Sequence, residues 1–382
     1  MPNVSVATVG VVGLGLIGGS LARALVAGGV PVVATDPAPT ARAAARAVGL
    51  QVSDDVADLC GNRPDLVVLA VPLRAMRAVA GEVADALAAE PGWDPTVTDV
   101  GSVKGPVRDA VQDAGLGARY VGAHPMAGTE HSGFDASFPD LLRGIRWAVT
   151  IVADGGAGHG GVPGGGAAGH GGVPGGGAGG PLAAPGPRRS AADRLEALLR
   201  LITGPLGGSA AVLTDDAHDE AAALVSHVPH VLAGELLGLV AGAPVRDVAL
   251  GLAAGSFRDG TRVAYGDPRR TEAMVTQNAA WVAPALRLAA RDLEMLADAL
   301  DANAPAGWFF DRPEPVRADR RPRGTTAPSS ATNGVRQIPR RQAEPPAQEL
   351  ITLEGDWPAT LLDRCAAGAV VVKLEHDTAV LT

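Results

Sequence analysis

An apolar run at residues 8–12 leads straight into Gly13-Leu14-Gly15-Leu16-Ile17-Gly18, a G-x-G-x-x-G turn that itself opens a stretch of helical spacing, Leu16–Ala27. Few folds accept that order. In a strand–turn–helix unit the first glycine permits the tight turn, the second lets a pyrophosphate approach the backbone, and the third lets helix and strand pack closely. The helix N-terminus then turns unbonded N–H groups and the positive end of its dipole toward the phosphates. A second strand is predicted at residues 31–35, with Asp36 at its end, roughly twenty residues beyond the turn. A carboxylate at that place accepts both hydroxyls of a ribose. The predicted fold is a doubly wound parallel α/β sheet of the Rossmann type, binding a dinucleotide through Gly13, Gly15, Leu16, Ile17, Gly18 and Asp36. A 2′-phosphate would meet like charge at Asp36. One such contact at about 4 Å costs up to ~4 kcal/mol at an effective dielectric near 20, which favours NAD over NADP. Arg42, a short way further on, leaves dual use open.

Strand and helix signals go on alternating through residues 66–71, 75–89 and 96–100, as a parallel sheet requires. Val71 and Pro72, where the strand at 66–71 runs out, complete the expected cofactor contacts. Another strand is expected at 146–152 and a helix at 190–201. Between them AGHGGVPGGG occurs twice, at 157–166 and 168–177. Such a Gly/Pro run cannot bury enough apolar surface to offset its ordering entropy. Residues 154–187 therefore read as a disordered insertion in a first domain covering 1–213. From Thr214 the spacing is helical (215–240, 245–254 and 277–300), which defines an all-α second domain at 214–304. Its apolar faces exceed what one copy can hide, so a homodimer is expected. Residues 305–348, rich in Pro and Arg without periodicity, read as a disordered linker, and 349–382 as a short strand–helix–strand segment.

Composition excludes several classes. A net charge of −9 argues against a nucleic-acid binder, which needs a basic face. The apolar stretch at 4–34 is no membrane helix or signal peptide, because glycines break it and Arg23 lies within it. Two cysteines, Cys60 and Cys365, are too few for a disulfide framework or a zinc site, and a reducing cytoplasm is the natural setting. His159 and His170 have no thiol near them and Asp154 as the only carboxylate, so no metal is expected.

The chemistry should lie where the strand at 96–100 ends, since open α/β sheets bind ligands at that edge. Lys104 reads as an N-terminal helix residue. Ser102 reads as a hydroxyl able to bond the nicotinamide amide or the substrate. His124 follows a short strand at 120–123 and should emerge at the same edge, in His-Pro-Met-Ala-Gly-Thr-Glu ending at Glu130. A neutral imidazole, with an ordinary pKa near 6.5, suits a proton acceptor.

At DVGSVKG (99–105), HPMAGTE (124–130) and Ser226-His227-Val228-Pro229-His230, where the family motif has Leu in place of Val228, the chain resembles the prephenate/arogenate dehydrogenase family of tyrosine biosynthesis. The resemblance runs in blocks from about residue 9 to about 300, and fails in the insertion and after Pro305. It implies hydride transfer from carbon 4 of a cyclohexadiene to NAD, with loss of carbon dioxide from the opposite carbon. Of the substrates it implies, prephenate is expected, with arogenate left open. His124 matches the family position that polarises the ring hydroxyl, Ser102 one that supports it, and Glu130 a gating or orienting position. Arg262, in a second short motif, matches the position that grips a substrate carboxylate, as a guanidinium can through two hydrogen bonds. Within the same resemblance, His230 lies beside the pyruvyl arm, with Ser226 and His227 as further substrate residues. His218 and Asp219 match too, a capping or packing role being equally compatible. Pro229 should bend its helix. Some members carry a regulatory ACT module at this end; 349–382 is too short for a full one. The nearest rival, a β-hydroxy-acid dehydrogenase, relies on a lysine in the helical domain, and none lies between Lys104 and Lys373.

Overall fold

A computed structural model describes residues 6–129, 131–151, 189–320 and 348–382. The insertion at 154–187, Glu130 and residues 321–347 of the expected linker lie outside the described residues. Two compact units emerge: Met1–Ala222 with Tyr265–Gln277 and Gln348–Thr382, and Ala223–Ala264 with Asn278–Ala347.

In the first unit, β1 (Val9–Val12), β2 (Val32–Thr35), β3 (Gln51–Val52), β4 (Leu66–Leu69) and β5 (Thr96–Asp99) form a wholly parallel sheet in the order β3-β2-β1-β4-β5. The doubly wound expectation is met. Helices α1 (Leu16–Ala27), α2 (Pro39–Ala47), α3 (Val56–Gly61), α4 (Leu73–Ala89) and α5 (Gly105–Asp113) connect and flank the strands. Alternate residues feed two cores. Val9, Val11, Leu66 and Val68 pack with Leu21 and Leu25 of α1, while Val12, Val67 and Leu69 pack with Leu59, Met76 and Val107. Burial on both faces is why these strands read as continuous β-branched runs with no polar side.

Beyond β5 a parallel bridge, Val97 to Tyr120, leads into β6 (Gly122–Pro125), which pairs antiparallel with β7 (Arg146–Thr150). Helix α6 (Ala191–Thr203) starts at a reciprocal capping box between Ser190 and Asp193 and places Leu195, Leu198 and Ile202 in the first core. It feeds β8 (Ser209–Leu213), parallel to β7, a strand the periodicity did not announce. Helix α7 (Asp215–Ala222) ends this part of the unit.

In the second unit, a five-residue π turn, Ala223–His227, precedes α8 (Val228–Ala241). Pro229 lies directly after this π turn, in a run that stays helical from Asp215 to Ala241. The π turn is a widening of the helix just ahead of the proline, where a bend was expected. Helices α9 (Arg246–Gly251) and α10 (Gly255–Thr261) follow. After α11 (Pro268–Gln277), which belongs to the first unit, α12 (Ala279–Asp301) returns to the second. Leu232, Leu236 and Leu239 of α8 are exposed. Their spacing puts them on one stripe.

The domain boundaries differ from those expected at 213/214 and 304/305. The division between units falls at Ala222/Ala223, inside a continuous helical run, and residues 265–277 side with the α/β unit. The first part of the expected disordered linker is helical, as α13 (Gly307–Asp311) and α14 (Glu314–Arg320). The C-terminal segment is no separate appendage. Its β9 (Glu349–Thr352), α15 (Trp357–Ala366), β10 (Val371–Glu375) and β11 (Thr378–Leu381) complete a second sheet ordered β6-β7-β8-β10-β11-β9. Trp357, Leu361, Val371 and Leu381 enter the same core as Leu198 and Ile202. The register Val371 to Ala210 that joins β10 to β8 is a long-range pairing with no local signature.

Candidate active site

The glycine turn behaves as its spacing demands. Gly13 has φ +103°, a left-handed conformation, and a Cβ there would lie 2.4 Å from the Ala70 carbonyl oxygen. A Cβ on Gly18 would lie 2.0 Å from the carbonyl oxygen of Gly13. Gly15, the residue ahead of α1, has nothing within 4 Å of its would-be Cβ, which leaves the space a pyrophosphate needs at a helix N-terminus. Leu16 is buried, so it can offer a ligand only its backbone, and Ile17 is half-buried. The Asp36 carboxylate follows β2 and accepts the N–H groups of Leu14 (2.7 Å) and Ala38 (2.8 Å), which holds it beside the turn. Arg42 donates instead to the backbone oxygens of Asp36 (2.7 Å) and Pro37 (3.2 Å). Val71 and Pro72 follow β4 at the same edge, Pro72 just ahead of α4. These residues fit a dinucleotide.

The second cluster is built where β5 and β6 end. His124 is half-buried on β6, and its Nδ1 lies 2.9 Å from Nε2 of His218 on α7, with the rings edge-to-face at 71°. His218 Nδ1 lies 2.7 Å from Asp219 Oδ1. Asp219 also accepts the backbone N–H of Lys104 (2.7 Å) and of Gly105 (2.9 Å), the start of α5. Burial pushes this carboxyl up, but the His218 bond and the two amide donors outweigh it and hold it below the ordinary carboxylate range. An ionised Asp219 sets the tautomers. In the tautomer that leaves both rings neutral, His218 donates from Nδ1 and accepts at Nε2, and His124 donates from Nδ1 with its lone pair on Nε2. That is the arrangement a proton acceptor requires.

Around this chain lie Asp99, Lys104 and Tyr120. Lys104, just ahead of α5, and Asp99, at the end of β5, form an ion pair with both side chains fully buried. The Tyr120 hydroxyl donates to Asp99 (2.8 Å), and burial, with the Asp99 charge beside it, pushes this phenol well above its usual range. Asp215 is raised by burial although Arg108 lies 3.1 Å away. Ser102 is half-buried in the turn between β5 and α5, and its hydroxyl makes no hydrogen bond to the described residues. The sequence named His124 and Ser102, left His218 and Asp219 undecided, and gave Asp99, Tyr120 and Asp215 no role. Only the Asp in DVGSVKG offered a local signal.

In the second unit, His230 donates from Nδ1 to the Ser226 carbonyl at 2.8 Å, which puts its lone pair on Nε2. Arg262 is exposed just after α10. Ser226 is half-buried in the π turn. His227 is the exception. It is fully buried, its Nδ1 3.0 Å from the Asn278 amide nitrogen, unlike the half-buried Ser226 and His230.

Two family models match. One, described as prephenate dehydrogenase, nucleotide-binding domain, covers residues 21–157, and another, prephenate dehydrogenase, dimerization domain, covers 214–307. A cyclohexadienyl dehydrogenase of Zymomonas mobilis is 34% identical over 298 residues, 76% of this chain and 88% of that protein. The chain belongs to the prephenate dehydrogenase family. A prephenate dehydrogenase of Bacillus subtilis is 28% identical over 269 residues, 68% of this chain and 61% of that protein. The structure of prephenate dehydrogenase from A. aeolicus, in complex with hydroxyphenyl propionate and NAD+, superposes with a TM-score of 0.65 at 26% identity, covering 83% of this chain and 98% of that one. Membership makes the protein an oxidoreductase with a nucleotide-binding α/β half and a helical half. One helical run, Asp215–Ala241, is long and apolar enough to cross a membrane. Its first two turns, however, are tied into the α/β unit through Asp215, His218 and Asp219, and the dimerization-domain match covers all of it.

Proposed function

We propose that the protein oxidises prephenate with NAD, yielding 4-hydroxyphenylpyruvate, carbon dioxide and NADH. The observation that carries this reading is the chain Asp219–His218–His124, in which contacts of 2.7 and 2.9 Å link a carboxylate through one imidazole to a second on β6. Bound NAD supplies the hydride acceptor. His124 takes the proton of the carbon-4 hydroxyl as the hydride leaves, and a positioned base of this kind contributes about 10²- to 10⁴-fold. His218 and Asp219 keep the imidazole in the receptive tautomer and stabilise the cation that forms. Ser102 orients the hydroxyl or the nicotinamide amide. Arg262 holds a substrate carboxylate, with His230 and Ser226 at the pyruvyl arm and Glu130 orienting the substrate; these roles rest on the motif match. Asp36 favours NAD through the ribose hydroxyls. The exposed stripe of α8 and the dimerization-domain match support a homodimer through the helical unit.

A second reading has one finding in its favour. The relative from Zymomonas mobilis is named for the cyclohexadienyl ring and not for one side arm, so arogenate is the alternative substrate. Following NADH formation with prephenate and arogenate in parallel tests both. Turnover of prephenate is expected; turnover of arogenate alone would overturn the assignment.

A further inference from the structure

The buried pair Lys104–Asp99 takes no part in the chemistry above, and stability alone does not account for it. Replacing a buried ion pair by apolar residues of similar volume is often neutral or stabilising, because desolvating two charges offsets much of their attraction. The surroundings of the pair are specific. One Asp99 oxygen accepts the Tyr120 hydroxyl (2.8 Å) and the Ala123 N–H (3.2 Å). The other accepts the Gly101 N–H (2.8 Å) and the Lys104 ammonium. The ammonium also donates to the Ala123 carbonyl at 2.6 Å. The pair thus grips both backbone groups of the residue before His124.

The need for such a grip follows from the topology. Strand β6 is four residues long and pairs with β7 along one side only. On its other side the ladder with β5 reaches the Val97–Tyr120 bridge and the bond from Val121 N–H to the Val97 carbonyl, and β5 ends at Asp99. Where β5 gives out, the Asp99 and Lys104 side chains supply the donor and acceptor that a continuing strand would have offered. The backbone N–H of Lys104 binds the same Asp219 oxygen that receives His218. One residue therefore reaches His124 along both the strand that carries it and the carboxylate that orients its neighbour.

We propose that Lys104, acting with Asp99, is a positioning residue that holds His124 in register for proton transfer. The inference rests on the reading of His124 as the proton acceptor. Displacing a catalytic group by about 1 Å costs on the order of 10²-fold, so Lys104→Met should lower kcat about 10- to 100-fold while the Kd for NAD stays within about twofold. A low-field imidazole N–H proton resonance from the His124–His218 bond, identified by its loss in His124→Asn, should shift or disappear in Lys104→Met. That resonance needs no substrate, so it tests the grip even if the wild type oxidises neither prephenate nor arogenate. An unchanged resonance, an unchanged kcat, or parallel losses of kcat and NAD affinity would overturn the proposal. If Lys104→Met does not fold, Tyr120→Phe decides. It removes one donor to Asp99 and keeps the ion pair, so it should lower kcat about three- to tenfold with NAD affinity intact; wild-type kcat in that variant would overturn the idea.

Discussion

Asp219→Asn keeps the shape of the side chain and removes the charge on which the tautomer argument depends. In the wild type one oxygen accepts His218 Nδ1 and the Lys104 N–H, each at 2.7 Å, and the other accepts the Gly105 N–H at 2.9 Å. An amide has only one oxygen. If that oxygen stays with His218, the NH2 faces the Gly105 N–H and a buried donor goes unmet. If it turns toward Gly105, the NH2 faces His218, which must then carry its proton on Nε2, and His124 must carry its own on Nε2 as well. Two bonds falling from about 2 to about 1 kcal/mol, with one unmet donor at about 1–3 kcal/mol, sum to roughly 3–5 kcal/mol. That is a large part of a typical 5–15 kcal/mol total. Turnover should fall by about 10²- to 10⁴-fold, the share of a positioned base, with NAD affinity nearly unchanged. The stability loss has a pH signature of definite sign. Because the Asp219 carboxyl is held below its ordinary value, its contribution is complete above the unfolded pKa near 3.9 and disappears as pH falls through the lower folded value. Urea unfolding should thus show the full gap between wild type and variant at neutral pH, closing only below about pH 4. Steady-state NADH formation supplies kcat, and a fluorescence titration the NAD affinity. A folded variant with kcat within about threefold of wild type would refute the relay. A stability gap equal at neutral and acid pH would refute the ionised carboxylate.

Three further outcomes follow from the same structure. Ending the chain at Ala347 removes Trp357, Leu361, Val371 and Leu381 from the core; at about 2–5 kcal/mol for each large side chain, the shortened protein should lose its cooperative thermal transition, and a wild-type Tm by calorimetry would refute this. Gly18→Ala puts a methyl group 2.0 Å from the Gly13 carbonyl oxygen and should disrupt the turn, whereas Gly15→Ala has open space and should fold normally yet bind NAD more weakly; equal Tm values for the two would contradict the geometry. Arg262→Gln should raise the KM for prephenate at least about tenfold and leave NAD binding alone, since a charge-assisted carboxylate contact is lost; equal losses for both ligands in a titration would point to a folding defect instead.

Much of this protein was written locally. Gly13, Gly15 and Gly18 each answer a steric demand that acts within one strand–turn–helix unit, so their spacing alone announced the parallel sheet and the dinucleotide edge. Helix α1 was legible at both ends for the same reason. Ser102 could be placed at the carboxyl edge because it follows an apolar strand, and a strand's end is a one-dimensional property; His124, expected just past a strand at 120–123, instead sits within β6. What the sequence could not decide depends on partners far apart in the chain. Lys104 read as an ordinary helix-start residue; its burial against Asp99 and its hold on Ala123 exist only once β6 lies beside the end of β5. His218 and Asp219 could have been a helix cap until folding set them between His124 and the start of α5. His227 carries the same motif as His230, and packing alone buried one and left the other partly exposed. The C-terminal segment read only as a short strand–helix–strand piece, too short for a full ACT module. It joins the core through Val371 beside Ala210, a pairing across more than 150 residues whose loop-closure entropy rises only slowly with length. Local sterics and hydrophobic period can be read along a line; burial of charge, tautomer and sheet order are decided by which surfaces meet.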